Sequence, residues 1–382
     1  MTDIVTLFLC GDVMLGRGID QILPHPCDPR LYEPYVKSAR GYVEIAERTH
    51  GPIPHPVPYR YVWGDALSVL DSVDPDLRIV NLETAVTRSD DFWRRKGIHY
   101  RMSPENAACL REAGIDGCSL ANNHVMDWGV GGLVETLKTL HRLGIGPAGA
   151  GLSEEEARSP SVLRMDAPRG GEIGEKSGHG GRTFLFAGGS VTSGVPESWA
   201  AGRGKPGVNV IRDYSPSTLK GIAEDVRRVK KEGDIVVYSI HWGGNWDFSV
   251  SSRERNFAHA LIDRAGVDIV WGHSSHHVKG MEVYREKLIL YGCGDFINDY
   301  EGITGHRGFR GDLGLMYFPR VDRGGGKLAA LRMVPVTMKR FKVVRVGTGD
   351  ARWLYDTLNR EGRSFGTGVR LDDGDTLILE AR

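Results

Sequence analysis

Dense apolar runs alternate along this chain with segments of helical periodicity. Ile4 to Leu9, Leu77 to Leu82, Asp116 to Ala121, Thr183 to Ala187, Asp234 to Ile240, Val267 to Val270 and Glu286 to Tyr291 are short apolar runs bounded by turn formers, the pattern of strands in a covered sheet. Between them, Leu133, Leu137 and Leu140 recur at helical spacing, Gly144 ends the segment, and Lys138, His141 and Arg142 suit its C-terminal dipole. Pro216 to Lys231 is predicted as a helix entered through Ser215 as N-cap with proline in the first turn, and Arg253 to Ala265 as another with Phe257 and Leu261 on one face. A strand, a polar loop and a helix in repeated succession mark an α/β chain. Beyond Gly314 the pattern changes: Gly314 to Pro319, Leu328 to Met338 and Thr376 to Glu380 alternate as antiparallel strands completing a sheet.

Two stretches break the pattern. Residues 21–62 are rich in proline, tyrosine and histidine, a composition that forbids regular helix or a central strand and predicts a long ordered loop or lid. Arg158 to Arg182 is rich in glycine and charge and reads as an exposed excursion with His179 solvated. No linker divides the chain, so residues 1–345 are expected to form one domain carrying these additions, with 346–382 as a C-terminal extension packed on it.

Charge narrows the function classes. Forty-nine Lys plus Arg balance forty-nine Asp plus Glu, so no global field favours nucleic acid or an anionic membrane, and no apolar run reaches spanning length. The first ten residues enter a strand-like run directly, without a basic region or signal-like apolar stretch. Five cysteines include no C-x-x-C pair. Together these features predict reduced thiols and a cytoplasmic protein without a membrane span.

The chemistry gathers where strands end. Trp271-Gly272-His273-Ser274-Ser275-His276-His277 places three imidazoles within five residues beyond an apolar run, and imidazole is a common ligand for transition metals. Other strand ends supply Asp12, Glu83, Asn122, Asn123, His124 and His241. Singly, Asp12 also reads as a turn aspartate, Glu83 as a cap, and Arg101 as either an anion contact or a buried salt bridge. As a set at successive strand ends they can converge, because ligands of open α/β sheets collect outside the carboxyl ends of strands. Carboxylate and amide oxygens mixed with imidazoles, and no cysteine, favour one or two divalent ions of Mn, Fe or Zn.

Gly11-Asp12-Val13-Met14-Leu15-Gly16-Arg17, Asn81-Leu82-Glu83, Ala121-Asn122-Asn123-His124 through Asp127-Trp128-Gly129, His241-Trp242-Gly243, Gly272-His273 with His276, and Gly294-Asp295-Phe296 resemble the CapA family. These are capsule or poly-γ-glutamate synthesis-type proteins related to calcineurin-like metallophosphoesterases. The resemblance implies a four-layer α/β/β/α sandwich with a metal site at one edge. It also implies that Asp12 and His276 serve one ion, that Asn123, His241 and His273 serve a second, and that Glu83 stands where a bridging aspartate usually does. His124 would be the general acid, with Asn122 beside it, and Arg17, Asn81, Arg101 and Asn298 are candidate contacts to an anionic small-molecule or peptide-like substrate. Met14 stands where the related Asp-x-His pattern has histidine, and His273 to His276 is His-x-x-His rather than His-x-His. The expected function is a metal-dependent hydrolase or transferase acting on a phosphoester or γ-glutamyl-like amide; the alternative is a non-catalytic assembly factor for polymer synthesis.

Overall fold

The computed structural model describes residues 3–94, 96–165, 181–303 and 305–381. It is a mixed α/β protein built on two sheets of mixed strand orientation. In the first sheet, Leu77–Leu82 is flanked on one side by Ile4–Cys10 and then Asp12–Val13, which run parallel to it, and on the other by the parallel strand Gly117–Ser119. Asp295–Ile297 lies outside Asp12–Val13, while the long antiparallel pair Leu313–Asp322 and Lys327–Met338 extends from Ile4–Cys10. The second sheet has a parallel centre of Arg182–Ser190, Ile235–His241, Ile269–His273 and Lys287–Leu290.

Side-chain alternation decides how the sheets pack. In the second sheet, Leu185, Ala187, Ile235, Val237, Ile269 and Trp271 join one core with Leu7, Leu9 and Ile79 of the first sheet. Their neighbours Phe184, Phe186, Val236, Tyr238 and Val270 face the other way and pack on helices Pro216–Val229 and Ser252–Asp263 through Leu219, Ile222, Phe257 and Leu261. With a side-chain period of two, His241 and His273 fall on the parity that faces the first sheet. Among the hydrogen bonds that tie the sheets together, Trp271 Nε1 donates to the Cys10 carbonyl at 3.0 Å, and Ser239 Oγ to Ser119 Oγ at 2.9 Å. Ala66, Leu67, Val69 and Leu70 of helix Asp65–Val73 and Leu133, Leu137 and Leu140 of helix Gly129–Arg142 also join the core of the first sheet.

The helix entered at Ser215 is present, with Ser215 accepting from the Thr218 amide, and Ser251 heads its neighbour in a capping box with Glu254. The proline-rich stretch differs from its expected form. Arg40–His50 is an eleven-residue helix because the prolines at 34 and 52 bracket a proline-free window long enough for three turns. Part of the glycine-rich stretch is also ordered: Ser161–Arg164 pairs antiparallel with Arg182–Ser190, while 166–180, including His179, lie outside the described residues. The stretch 346–382 contributes helix Thr348–Gly362 and the hairpin Thr367–Asp372/Thr376–Ala381, whose second strand pairs with Lys327–Met338. All five cysteines are buried and unpaired.

The break between Ile4–Cys10 and Asp12–Val13 falls at Gly11, where a Cβ would lie 2.0 Å from the Gly294 carbonyl oxygen. The Asp12 amide donates to that same carbonyl at 2.9 Å, so the backbone approach that excludes a side chain also sets the level of Asp12. Gly11→Ala is expected to cost about 2 kcal/mol or more, as overpacking against backbone does, which urea unfolding measures; wild-type stability would show that this contact yields freely.

Candidate metal centre

Register brings the polar strand ends to one level. Asp12 is the cross-strand partner of Asn81 on one side and of Asp295 on the other. Asn81 pairs with Ser119, and in the second sheet His241 pairs with His273. The rings of His241 and His273 are nearly parallel with centroids 6.4 Å apart. After His273 the chain turns through Ser274 in the left-handed region at φ 87°, a conformation a non-glycine residue holds only when its surroundings fix it. That turn aims the Ser274 amide at Asp12 Oδ2, 3.3 Å away.

Asp12 is the hub. Its Oδ1 accepts from Asn81 Nδ2 at 2.8 Å and lies 2.8 Å from His273 Nδ1. Asn81 Nδ2 also reaches Glu83 Oε2 at 3.1 Å, and Asn122 donates to Asn81 Oδ1 and to the Leu82 carbonyl. One ligand atom from each of Asp12, Glu83 and His241 lies within 4.8 Å of the other two. On the neighbouring strand, Asp295 Oδ1 sits 2.9 Å from His276 Nδ1, with Asn298 donating to its other oxygen at 3.3 Å.

The test of fit for a cation is what the protein leaves unmade. His241 Nδ1 and Nε2, His273 Nε2 and Asn123 Oδ1 are buried and have no hydrogen-bond partner among the described residues. Four orphaned ligand-type atoms beside buried carboxylates are costly unless a further group satisfies them. Ionisation agrees: burial pushes the Glu83 carboxyl well above its usual range, with Asp12 adding to the shift, and burial raises Asp295 as well. Burial alone would raise Asp12 too, but the hydrogen bond and charge of His273 hold it below the carboxylate range. Burial lowers His241 to about 3, so it rests neutral, the form that ligates. The residues fit a divalent cation, which would relieve both the crowded carboxylates and the orphaned nitrogens.

His124 stands beside this group, its Nε2 4.0 Å from Glu83 Oε1. Its Nδ1 faces Asp127 Oδ2 at 2.6 Å, and Asp127 in turn accepts from Lys96 at 2.6 Å and from the Tyr100 amide at 2.8 Å. Lys96 Nζ also lies 3.1 Å from Nδ1, but the carboxylate is the nearer partner and favours the proton on Nδ1 with the Nε2 lone pair facing the centre. Burial brings His124 down to about 4 even though Asp127 pulls it up, so it rests as a proton acceptor.

The sequence candidates therefore divide. Asp12, Asn81, Glu83, Asn122, His124, His241 and His273 form one linked group, Asn123 adjoins it, and His276 and Asn298 converge on Asp295. The arginines are engaged within the protein. Arg17 spends all five N–H groups on Asp299, Glu33, Tyr42 and Tyr100, while Arg101 donates to the Ser89 and Asp28 carbonyls and to Asp90 and lies over Trp128. Asp295, Asp127 and Lys96 were given no role from sequence. The first two stand inside quoted motifs, where Asp295 ends a glycine-bounded turn and Asp127 lies three residues past His124; no local signal marks Lys96.

A buried carboxylate and imidazole centre at the strand ends of a two-sheet α/β protein is the class this geometry defines. The family follows from comparison: residues 6–300 match the model of the bacterial capsule synthesis protein PGA_cap, and the chain belongs to this CapA-type family. A "Probable polyglutamine synthesis accessory protein" of Mycobacterium tuberculosis (strain ATCC 25618 / H37Rv) is 44% identical over 96% of this chain and 93% of its own length. "PGA biosynthesis protein CapA" of Bacillus subtilis (strain 168) is 27% identical over 85% of this chain and 70% of its own. A solved structure, "GAP50 the anchor in the inner membrane complex of Plasmodium", overlays on 93% of this chain and 95% of its own at 8% identity and TM-score 0.35.

Because His124 holds its proton less tightly folded than unfolded, the unfolded chain binds more protons between about pH 6.5 and about 4. Its contribution is complete above that window and is lost as pH falls through it. With divalent ions chelated, unfolding free energy is expected to decline from pH 7 to pH 4, and His124→Gln to flatten part of that decline. Superimposable profiles for the two proteins would contradict the buried neutral imidazole.

Proposed function

We propose that this chain is a metal-dependent hydrolase or transferase of the CapA type, acting on an anionic substrate through a phosphoester or γ-glutamyl-like amide. The set of orphaned nitrogens and amide oxygen around Asp12 and Glu83 carries this reading. Asp12, Glu83, Asn123, His241 and His273 would hold one ion, with Asp295 and His276 offering ligands to a second beside Asp12. Mn, Fe or Zn suits this mixture of hard oxygen and imidazole donors. Such an ion, when bound, supplies Lewis acidity toward a carbonyl or phosphoryl oxygen and acidifies water.

The chain's own residues do the rest. Asn81 and Asn122 hold the carboxylates in place, Asn81 by donating to both and Asn122 by donating to Asn81. Asp127 and Lys96 fix His124 with Nε2 inward, ready to take a proton from an attacking group and return it to a leaving one. Asn123 and His276 are half-buried, as is Tyr300, whose ring packs edge-on against His276 at 5.7 Å, so substrate would enter past them. A four-layer α/β/β/α arrangement is part of the proposal, supported by two sheets sharing one core and by helices against the outer face of the second. A cytoplasmic setting is supported by five unpaired thiols; among the described residues no helix is long and apolar enough to cross a membrane.

A second reading has its own support in the word "accessory" in the name of the mycobacterial relative: the centre would then bind a ligand or brace a synthase partner without turnover. Metal content together with turnover separates the two. Wild type is expected to retain Mn²⁺ through desalting and to cleave a generic phosphodiester or γ-glutamyl anilide. His241→Ala should lose the metal, whereas His124→Ala should keep it and lose about 10²- to 10⁴-fold in turnover. Full activity in both variants would remove the catalytic reading, and bound metal without turnover of either compound would favour the accessory one.

A further inference from the structure

Arg17 is too far inside the fold to meet a substrate, yet its hydrogen bonds have a direction that ends at the centre. It is 3% exposed, and a guanidinium only donates. One Nη2 hydrogen goes to the Tyr100 hydroxyl oxygen at 2.7 Å, which turns the hydrogen of that hydroxyl elsewhere. It goes to the Tyr300 hydroxyl oxygen, 2.8 Å away. Tyr300 is thereby filled as an acceptor and left with one hydrogen of its own, whose nearest partner is the thioether of Met14 at 3.7 Å, a weak acceptor.

The two phenols flank the centre. The Tyr100 ring packs edge-on against His124 at 4.8 Å, and the Tyr300 ring against His276 at 5.7 Å. Arg17 and Tyr100 are buried while Tyr300 is half-buried, so the series runs from the interior to a partly exposed residue whose hydroxyl hydrogen is held only by the Met14 thioether. Asp299 and Glu33 compensate the Arg17 charge, so the series is held as a fixed, polarised unit.

We infer that Tyr300 is the protein's own hydrogen-bond donor to a tetrahedral oxyanion at this centre, and that Arg17 and Tyr100 are positioning residues that leave its hydroxyl hydrogen only the weak Met14 thioether to give up for that oxyanion. Preorganised donors of this kind need no reorientation when charge develops on the substrate. The inference rests on the metal-dependent reading above and deepens it by naming the substrate feature recognised, the anionic oxygens of a phosphoryl group or of a tetrahedral acyl adduct.

Inorganic phosphate is the probe, titrated calorimetrically into the Mn²⁺-loaded protein, with Mn²⁺ affinity and melting temperature measured on every variant. Tyr300→Phe is expected to weaken phosphate binding about tenfold, the loss typical of one hydrogen bond to a charged group, with Mn²⁺ affinity unchanged. Tyr100→Phe should weaken it less, and Tyr100→Phe/Tyr300→Phe should be no worse than Tyr300→Phe alone, because Tyr100 acts only through the other hydroxyl. A purely structural role would instead lower the melting temperatures additively and leave phosphate affinity alone. Unchanged phosphate binding in Tyr300→Phe with Mn²⁺ still bound overturns the donor and spares the metal reading. Failure of the wild type to bind Mn²⁺ overturns both.

Discussion

A buried carboxylate must be met by donors or by charge, and the arrangement around Asp12 follows from that requirement. Asp12 has no exposed surface, so water cannot solvate it and the protein must. Asn81 meets it from the adjacent strand of its own sheet, and His273 and the Ser274 amide from the opposite sheet. The contact is specific in a way apolar packing is not. Sliding either sheet by one residue would reverse the parity of its side chains and take Asp12 or His273 out of reach. The left-handed turn at Ser274 and the close approach at Gly11 are then read as local costs borne by the chain to hold this contact.

Much of this was legible because strands advertise themselves locally. The runs ending at His241 and His273 carry their apolar pattern up to the imidazole, so a polar ligand at a strand end stands out without knowledge of its partner. What lay hidden depended on distance in three dimensions. Asp295 gains its meaning only once its strand is seen beside Asp12, and Lys96 only once its loop folds against Asp127. Arg17 shows the opposite limit: a guanidinium near a candidate site reads equally as an anion contact or as an ion pair, and only the count of its engaged N–H groups separates them. Average composition misled once, since prolines on both sides concealed the helix Arg40–His50 between them.

The CapA-type relationship and the geometry bear on different questions. Membership in the family covers residues 6–300 and says which chains are related to this one. It does not say whether the centre turns over a substrate. That question turns on the His124 pair, in which the Asp127 carboxylate meets Nδ1 and Nε2 faces the ligand cluster.

The charge balance sharpens the point. Asp12, Glu83 and Asp295 crowd into one buried region, and their ionisation diverges: His273 holds Asp12 low, while burial and the neighbouring charge lift the other two. Like charges at short range in a poorly solvated space do not all ionise unless a cation joins them. Among the described residues the nearby bases are already engaged. Arg17 is committed to Asp299 and Glu33, and Lys96 to Asp127, both by close charged contacts. A protein whose aim was stability alone would gain by replacing such carboxylates with apolar side chains of similar volume. Keeping them here, facing nitrogens that no other described residue satisfies, makes sense when a divalent ion completes the set.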